Sequence, residues 1–161
     1  MKGQVTLREH RVGDIGYIIY RHAVLYAEEY GWNEQFEALV GEVASKFLKQ
    51  HDPAKERCWI AELDAEFAGC IFVVEESPNI AKLRLLLVEP KARGHGIGRT
   101  LIEECIAFAK RAGYTKMQLW TNDVLNAARH LYEEFGFRLA HEEPNTLFGP
   151  PTMAQTWERE L

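Results

Sequence analysis

The stretch from Leu83 to Gly113, LRLLLVEPKARGHGIGRTLIEECIAFAKRAG, constrains the fold more than any other part of the 161-residue chain. It begins with an apolar run, Leu83 to Val88, interrupted only by Arg84 and followed closely by Pro90. A run so short and so apolar reads as a buried strand, which the proline stops at Glu89. Further on, Ile97, Leu101, Ile102, Cys105, Ile106 and Ala109 recur at three- and four-residue spacing. With Glu103, Glu104, Lys110 and Arg111 between them, they predict an amphipathic helix that Gly113 ends in a left-handed turn. A strand feeds a glycine-rich turn, and the turn feeds a helix.

That order has a chemical use. The first amides of a helix lack partners within it and carry the positive end of its dipole. Glycines just before them let backbone N–H groups approach a ligand without an intervening Cβ, which makes a cradle for phosphate. The spacing decides which phosphate. Gly94, Gly96 and Gly98 give Gly-x-Gly-x-Gly, not the Gly-x-Gly-x-x-Gly of a dinucleotide site. Gly98 is followed by Arg99 and Thr100, not by the Lys-Ser/Thr of a Walker loop. Both familiar nucleotide patterns are excluded.

The pattern that fits is Arg-x-x-Gly-x-Gly, Arg93 to Gly98. It resembles the pyrophosphate-binding turn of the GCN5-related N-acetyltransferases (the GNAT family), where it holds coenzyme A. A second segment, from Asn126 through Arg129 and Tyr132 to Gly136 and Phe137, resembles the family's second signature, N-x-x-A-x-x-x-Y-x-x-x-G-F in outline. Leu83 to Pro90, Leu119 to Asp123 and the ending Gln155-Thr156-Trp157-Glu158 look like the acetyltransferase half of proteins that fuse a MarR-type regulator to a GNAT domain. The winged-helix half has no counterpart here.

The rest of the chain supplies a matching element order. Val5 to Arg8 reads as a strand, and Asp14 as the N-cap of a helix running through Ile15, Ile18, His22, Leu25 and Tyr26 to Gly31. Asn33 caps a second helix with a Phe36, Leu39, Val40, Val43, Phe47 stripe. Cys58–Leu63 and Phe67–Glu75 form a hairpin around Asp64-Ala65-Glu66. Met117–Thr121 is a strand parallel to the central one, because a helix crosses between them. A helix from Val124 to Phe135, capped by Asn122 and Asp123, leads to strands Phe137–His141 and Met153–Trp157. The expected fold is α/β (α+β): the GNAT fold, a mixed central sheet with helices on both faces, in a single domain spanning residues 1–161.

Composition narrows function further. A net charge of −5 gives no electrostatic case for nucleic acid. Cys58, Cys70 and Cys105 lie in apolar patterns without Cys-x-x-Cys, as in a reduced, cytoplasmic protein. The histidines show no ligand spacing, so no metal is expected. No signal peptide and no apolar run of membrane-spanning length is present, so no membrane role is expected.

The resemblance implies acetyl-CoA as co-substrate and a primary amine of a small molecule as acceptor. The cofactor contacts it implies are Arg93, Gly94, His95, Gly96, Ile97, Gly98, Arg99 and Thr100 at the diphosphate, backbone groups of Leu87 and Val88 at the pantetheine, and Asn126, Arg129 and Tyr132. The last three follow at three-residue steps on one side of a helix. By resemblance Tyr132 lies near the thioester sulfur. A phenol of reference pKa about 10 can protonate a leaving thiolate of about 8.5. Its other reading is packing against the sheet.

Some family members carry a glutamate base seven residues before the motif arginine, but that position here is Leu86. Glu28, Glu29 and Glu62 are the remaining candidate bases, with proton transfer through solvent as the default. Arg84, read as facing the same way as Leu86, is a charge in an apolar strand. It either binds an acceptor carboxylate or pairs with Glu62 or Glu75. Tyr30 and Trp32, at the join of the first two helices, either overhang the acceptor or staple those helices. A homodimer through the apolar last strand is an option by analogy with the family. The rival functions are a non-catalytic CoA-sensing module and a protein or peptide N-acetyltransferase.

Overall fold

The computed structural model describes residues 3–161. The elements are β1 (Val5–Glu9), α1 (Asp14–Tyr30), α2 (Glu34–Gln50), β2 (Arg57–Leu63), β3 (Glu66–Ser77), β4 (Ile80–Val88), α3 (Ile97–Arg111), β5 (Lys116–Asn122), α4 (Asn126–Glu134), β6 (Arg138–Asn145) and β7 (Thr152–Glu160). The strands form one sheet in the order β1-β2-β3-β4-β5-β7-β6. Among the described residues only β4 and β5 run parallel; every other neighbouring pair is antiparallel.

Alternating side chains send the two faces of the sheet to different helices. Cys58, Ile60, Cys70 and Phe72 meet Ile15, Ile18, Leu25, Ala44 and Phe47 of α1 and α2. Trp59, Ile71, Val73, Ala81 and Leu83 meet Ile97, Leu101, Ile102 and Cys105 of α3, with Tyr132 of α4. The expected helices on both faces are therefore present.

Several boundaries differ from the sequence reading. Asp14 is not a cap: Gly13 occupies that position, and the Asp14 carboxylate binds Arg8 at 2.7 Å and the Arg11 amide. Asn33 does cap α2, accepting from the Gln35 amide at 2.9 Å. The 64–65 turn takes Asp64 and Ala65 at φ 51° and 69°, which frees Glu66 to join β3. α4 starts only at Asn126, because Asp123 is held by β7: its carboxylate accepts from the Met153 amide at 3.0 Å.

Two irregularities in β4 build the functional region. Leu85 and Leu86 together oppose one residue of β3, between the register pairs Phe72↔Arg84 and Cys70↔Leu87. This is a β-bulge, and Leu85 adopts φ 53°, costly for a residue with a Cβ. The bulge inverts the facing of the strand. Before it, Ala81 and Leu83 face α3; after it, Leu86 and Val88 do, while Leu85 and Leu87 turn toward α1 and α2. Beyond the register pair Leu83↔Leu119, β4 and β5 also stop pairing, so the two strands splay apart.

Gly69 is the close-approach point behind this opening, where an added Cβ would overlap the backbone carbonyl oxygen of Leu87. Gly69→Ala is expected to cost about 1–3 kcal/mol in urea unfolding by pushing β3 and β4 apart. Unchanged stability would show that β4 yields there freely.

Candidate active site

The splay opens into a cavity of about 480 Å³. One end is the turn before α3. Pro90–Ala92 makes a short 3-10 turn, then Gly94 and Gly96 take φ 87° and 71°, and Gly96 caps α3. The amides from Gly94 to Arg99 donate to no backbone carbonyl among the described residues. Six consecutive free N–H groups at a dipole's positive end form a concave donor surface suited to a diphosphate.

Gly94, Gly96, Ile97, Gly98, Arg93 and Arg99 line the cavity. Two residues expected at the diphosphate sit otherwise. Thr100 spends both its amide and its hydroxyl on the Gly96 carbonyl, each at 3.0 Å. The His95 ring contacts the Ala92 carbonyl at 3.1 Å and is not among the cavity-lining residues. Gly98 lets α3 approach α4, since a Cβ there would lie 3.0 Å from Leu131.

The splayed strands form the middle. Leu85, Leu86, Leu87 and Val88 line the cavity from β4, and Trp120 and Thr121 from β5. The backbone of β4 on this side has no strand partner and can pair with a linear amide chain. Opposite, α4 contributes Ala127, Ala128, Leu131 and Tyr132. Tyr132 is 4% exposed, and burial pushes its phenol above the ordinary value. Asn126 and Arg129 stand outside the lining: Arg129 donates to Asn126 at 3.3 Å and to the Asp123 carbonyl at 2.9 Å.

The far end belongs to α1, α2 and their join. Tyr30 and Trp32 line the cavity and also pack on one another, with ring centroids 5.5 Å apart. The pair thus staples the join of the two helices and also faces the cavity. Tyr26 stacks on Phe36 at 4.9 Å and directs its hydroxyl to the Leu86 carbonyl at 3.5 Å. Nothing in the sequence pattern separated Tyr26 from an ordinary core aromatic.

The candidate bases fare poorly. Glu62 belongs to β2 and pairs with Arg8 at 3.1 Å; Glu28 is exposed; neither lines the cavity. Glu29 does line it but is bound to Arg93 at 2.6 Å. The expected common facing of Arg84 and Leu86 is corrected by the bulge. Leu86 packs toward α3, whereas Arg84 stands opposite Phe72 on the α2 side. Neither Glu62 nor Glu75 pairs with Arg84, and no described carboxylate lies within ion-pair distance of it.

Two buried groups escaped the sequence reading. Glu89, 5% exposed, receives a two-pronged bond from Arg21 at 2.7 Å on both arms, which pins α1 to the end of β4. The signal was present as a charge directly after an apolar strand, but its partner lies 68 residues away. His22, 2% exposed, lines the cavity. Its Nδ1 donates to the Ile18 carbonyl at 2.9 Å, and its Nε2 has no partner among the described residues.

Burial lowers the His22 pKa to about 4 from 6.5. The unfolded chain therefore binds this proton more readily than the native one. His22 lowers native stability as pH falls from 6.5 toward 4, by an amount on the order of 3 kcal/mol. Urea titrations at pH 7 and pH 4.5 should show that loss, with His22→Leu flattening it. Equal losses in both proteins would refute a neutral buried imidazole.

Free amides at the start of α3, a splayed strand pair and an uncommitted phenol open into one cavity, an arrangement suited to a CoA thioester. The chain belongs to the acetyltransferase (GNAT) family, whose model matches residues 18–137. It is an N-acetyltransferase that uses acetyl-CoA. An uncharacterized N-acetyltransferase of Schizosaccharomyces pombe is 30% identical over 114 residues, covering 70% of each chain. N-acetylaspartate synthetase of Danio rerio is 37% identical over 93 residues, 56% of this chain but only 33% of that protein. Among solved structures, yncA of Salmonella typhimurium, determined with its cofactor acetyl-CoA, superposes with a TM-score of 0.77 at 20% identity. That match covers 98% of this chain and 94% of the other, and shows the shared fold. No helix among the described residues is long and apolar enough to cross a membrane.

Proposed function

We propose that the protein acetylates the primary amine of a small molecule by direct attack within a complex of enzyme, acetyl-CoA and acceptor. The observation that carries this reading is the continuity of one cavity from the free amides of α3, past the β4 bulge and Tyr132, to the aromatic join of α1 and α2. The diphosphate lies against 94–99, the pantetheine along Leu87 and Val88, and the acceptor between Arg84, Tyr30 and Trp32. The Danio rerio relative is an N-acetylaspartate synthetase, which supports a small acceptor here.

The neutral amine forms the new C–N bond with the thioester carbonyl. A backbone amide at the bulge stabilises the oxyanion. As the intermediate collapses, the C–S bond breaks and the sulfur takes a proton from the Tyr132 hydroxyl. The amine's surplus proton leaves through water, since Leu86 replaces a glutamate on the strand and Glu29 is held by Arg93. Solvent then restores Tyr132.

Release of free thiol from acetyl-CoA, followed across amines, amino acids and short peptides, tests the reading. Acceptor-dependent release with a small amine supports it. CoA binding without any acceptor-dependent release would replace it with a sensing module, and release with peptides alone would make the acceptor a protein.

A further inference from the structure

The distribution of charge in the acceptor half of the cavity identifies the acceptor more closely. We infer that the acceptor is an α-amino acid with an apolar or aromatic side chain, its carboxylate held by Arg84 and its side chain seated against Tyr26, Trp32, Phe36 and Trp120. This rests on the proposed small-amine acetyl transfer and specifies its substrate.

The charged groups that line the cavity are unequal. Arg93 is matched by Glu29 and Arg99 by Glu134, each pair at 2.6 Å. Arg84 is not matched. It is half-buried at the start of the apolar run Leu85–Val88, near a second cation of the same strand, Lys82, and its neighbour Glu76 is engaged with that lysine at 3.8 Å. Desolvation lowers its pKa, which marks a cation that the fold itself leaves poorly compensated. An unpaired guanidinium in such a setting is costly, and a planar carboxylate relieves that cost with two parallel hydrogen bonds.

Position along the strand gives the second argument. Arg84 immediately precedes Leu85 and Leu86, the bulge residues at the point where β4 has lost its pairing with β5. In an α-amino acid one carbon joins the amine to the carboxylate. A carboxylate anchored at Arg84 therefore holds the amine beside the bulge, where the acyl group must lie. An amine with a distant carboxylate, or with none, lacks this alignment.

The remaining wall decides the side chain. Beyond Arg84 the cavity is bounded by Tyr26, Trp32, Phe36, Leu39, Val43 and Trp120. Glu29, the carboxylate among the lining residues, is bound to Arg93, so a second ammonium finds no partner. A second carboxylate would meet aromatic faces in place of a cation. Polyamines, lysine and aspartate each strand a charge there, whereas phenylalanine, leucine or methionine does not.

The test measures L-phenylalanine, L-leucine, L-aspartate, L-lysine, spermidine and 2-phenylethylamine in two ways. Calorimetry reports their binding to the CoA-saturated protein, and thiol release reports their turnover with acetyl-CoA. L-Phenylalanine or L-leucine should exceed aspartate, lysine and spermidine by about 10- to 100-fold in affinity and in kcat/KM. Loss of the carboxylate in 2-phenylethylamine should cost a similar factor in the wild-type protein. In Arg84→Met, with CoA affinity intact as the control for folding, phenylalanine and 2-phenylethylamine should become nearly equal.

The inference is overturned if aspartate, lysine or spermidine is preferred, if no apolar amino acid binds, or if 2-phenylethylamine matches phenylalanine in the wild type. The two proposals fail separately. Turnover of another amine class rejects the amino-acid acceptor and keeps small-amine acetyl transfer. Arg84-dependent binding of apolar amino acids without thiol release does the reverse.

Discussion

Tyr132→Phe is expected to lower kcat by about 10²-fold or more while acetyl-CoA affinity stays unchanged. Tyr132 lines the cavity beside the splayed strands, and no hydrogen bond commits its hydroxyl to a described residue. The ring itself is core: it packs on Phe137 at 5.8 Å and within the α3 cluster, so phenylalanine keeps the fold. On the proposed role, the variant loses a proton donor at the sulfur, needed only as the thiolate leaves. Such a loss acts on kcat and not on binding. Because burial raises the phenol's pKa, Tyr132 stays protonated through the neutral range and contributes no basic limb there. Steady-state kinetics with calorimetry of CoA binding checks both halves. An unchanged kcat would remove Tyr132 from the chemistry and leave it a packing residue.

Gly96→Val should weaken CoA binding by roughly 10- to 100-fold, the equivalent of about 1–3 kcal/mol of backbone strain. Gly96 sits at φ 71° as the cap of α3, and no atom lies within 4 Å of a Cβ built there. The penalty is thus conformational. A branched side chain drives the turn out of the left-handed region and scatters the amides from 94 to 99. Asparagine tolerates that region better, so Gly96→Asn should lose distinctly less affinity. Equal losses in the two variants would mean that side-chain bulk and not backbone angle is at fault. Wild-type affinity in the valine variant would show that the cradle does not hold the diphosphate.

Much of this architecture was legible before folding. The element order, the parallel β4–β5 pair and the glycine turn into α3 follow from hydrophobic period and from residues with restricted backbone choices. Gly31, Gly96 and Gly113 do stand at φ 71°, 71° and 94° where the turns require them. Site residues divided by type. Those expected through the backbone, Leu87, Val88 and most of the 93–99 turn, lie along the cavity, with the His95 side chain turned away from it. Those defined through a side chain often did not: Asn126 and Arg129 satisfy each other, and Glu62 serves Arg8. Where a side chain finds its partner depends on register, and register is not local. His22 shows the same point, reading as one more position on an amphipathic stripe until burial leaves its Nε2 alone.

What the chain's letters determined unaided was a strand, a glycine turn and a helix in succession, because period, proline and glycine act over a few residues. What the tertiary structure alone decided was the surroundings of Arg84. One bulge at Leu85 inverts the facing of β4, takes Leu86 away toward α3 and leaves the guanidinium on the α2 side, with no described carboxylate within ion-pair distance. Side chains alternate along a strand with a period of two, so a single extra residue reverses every side chain beyond it.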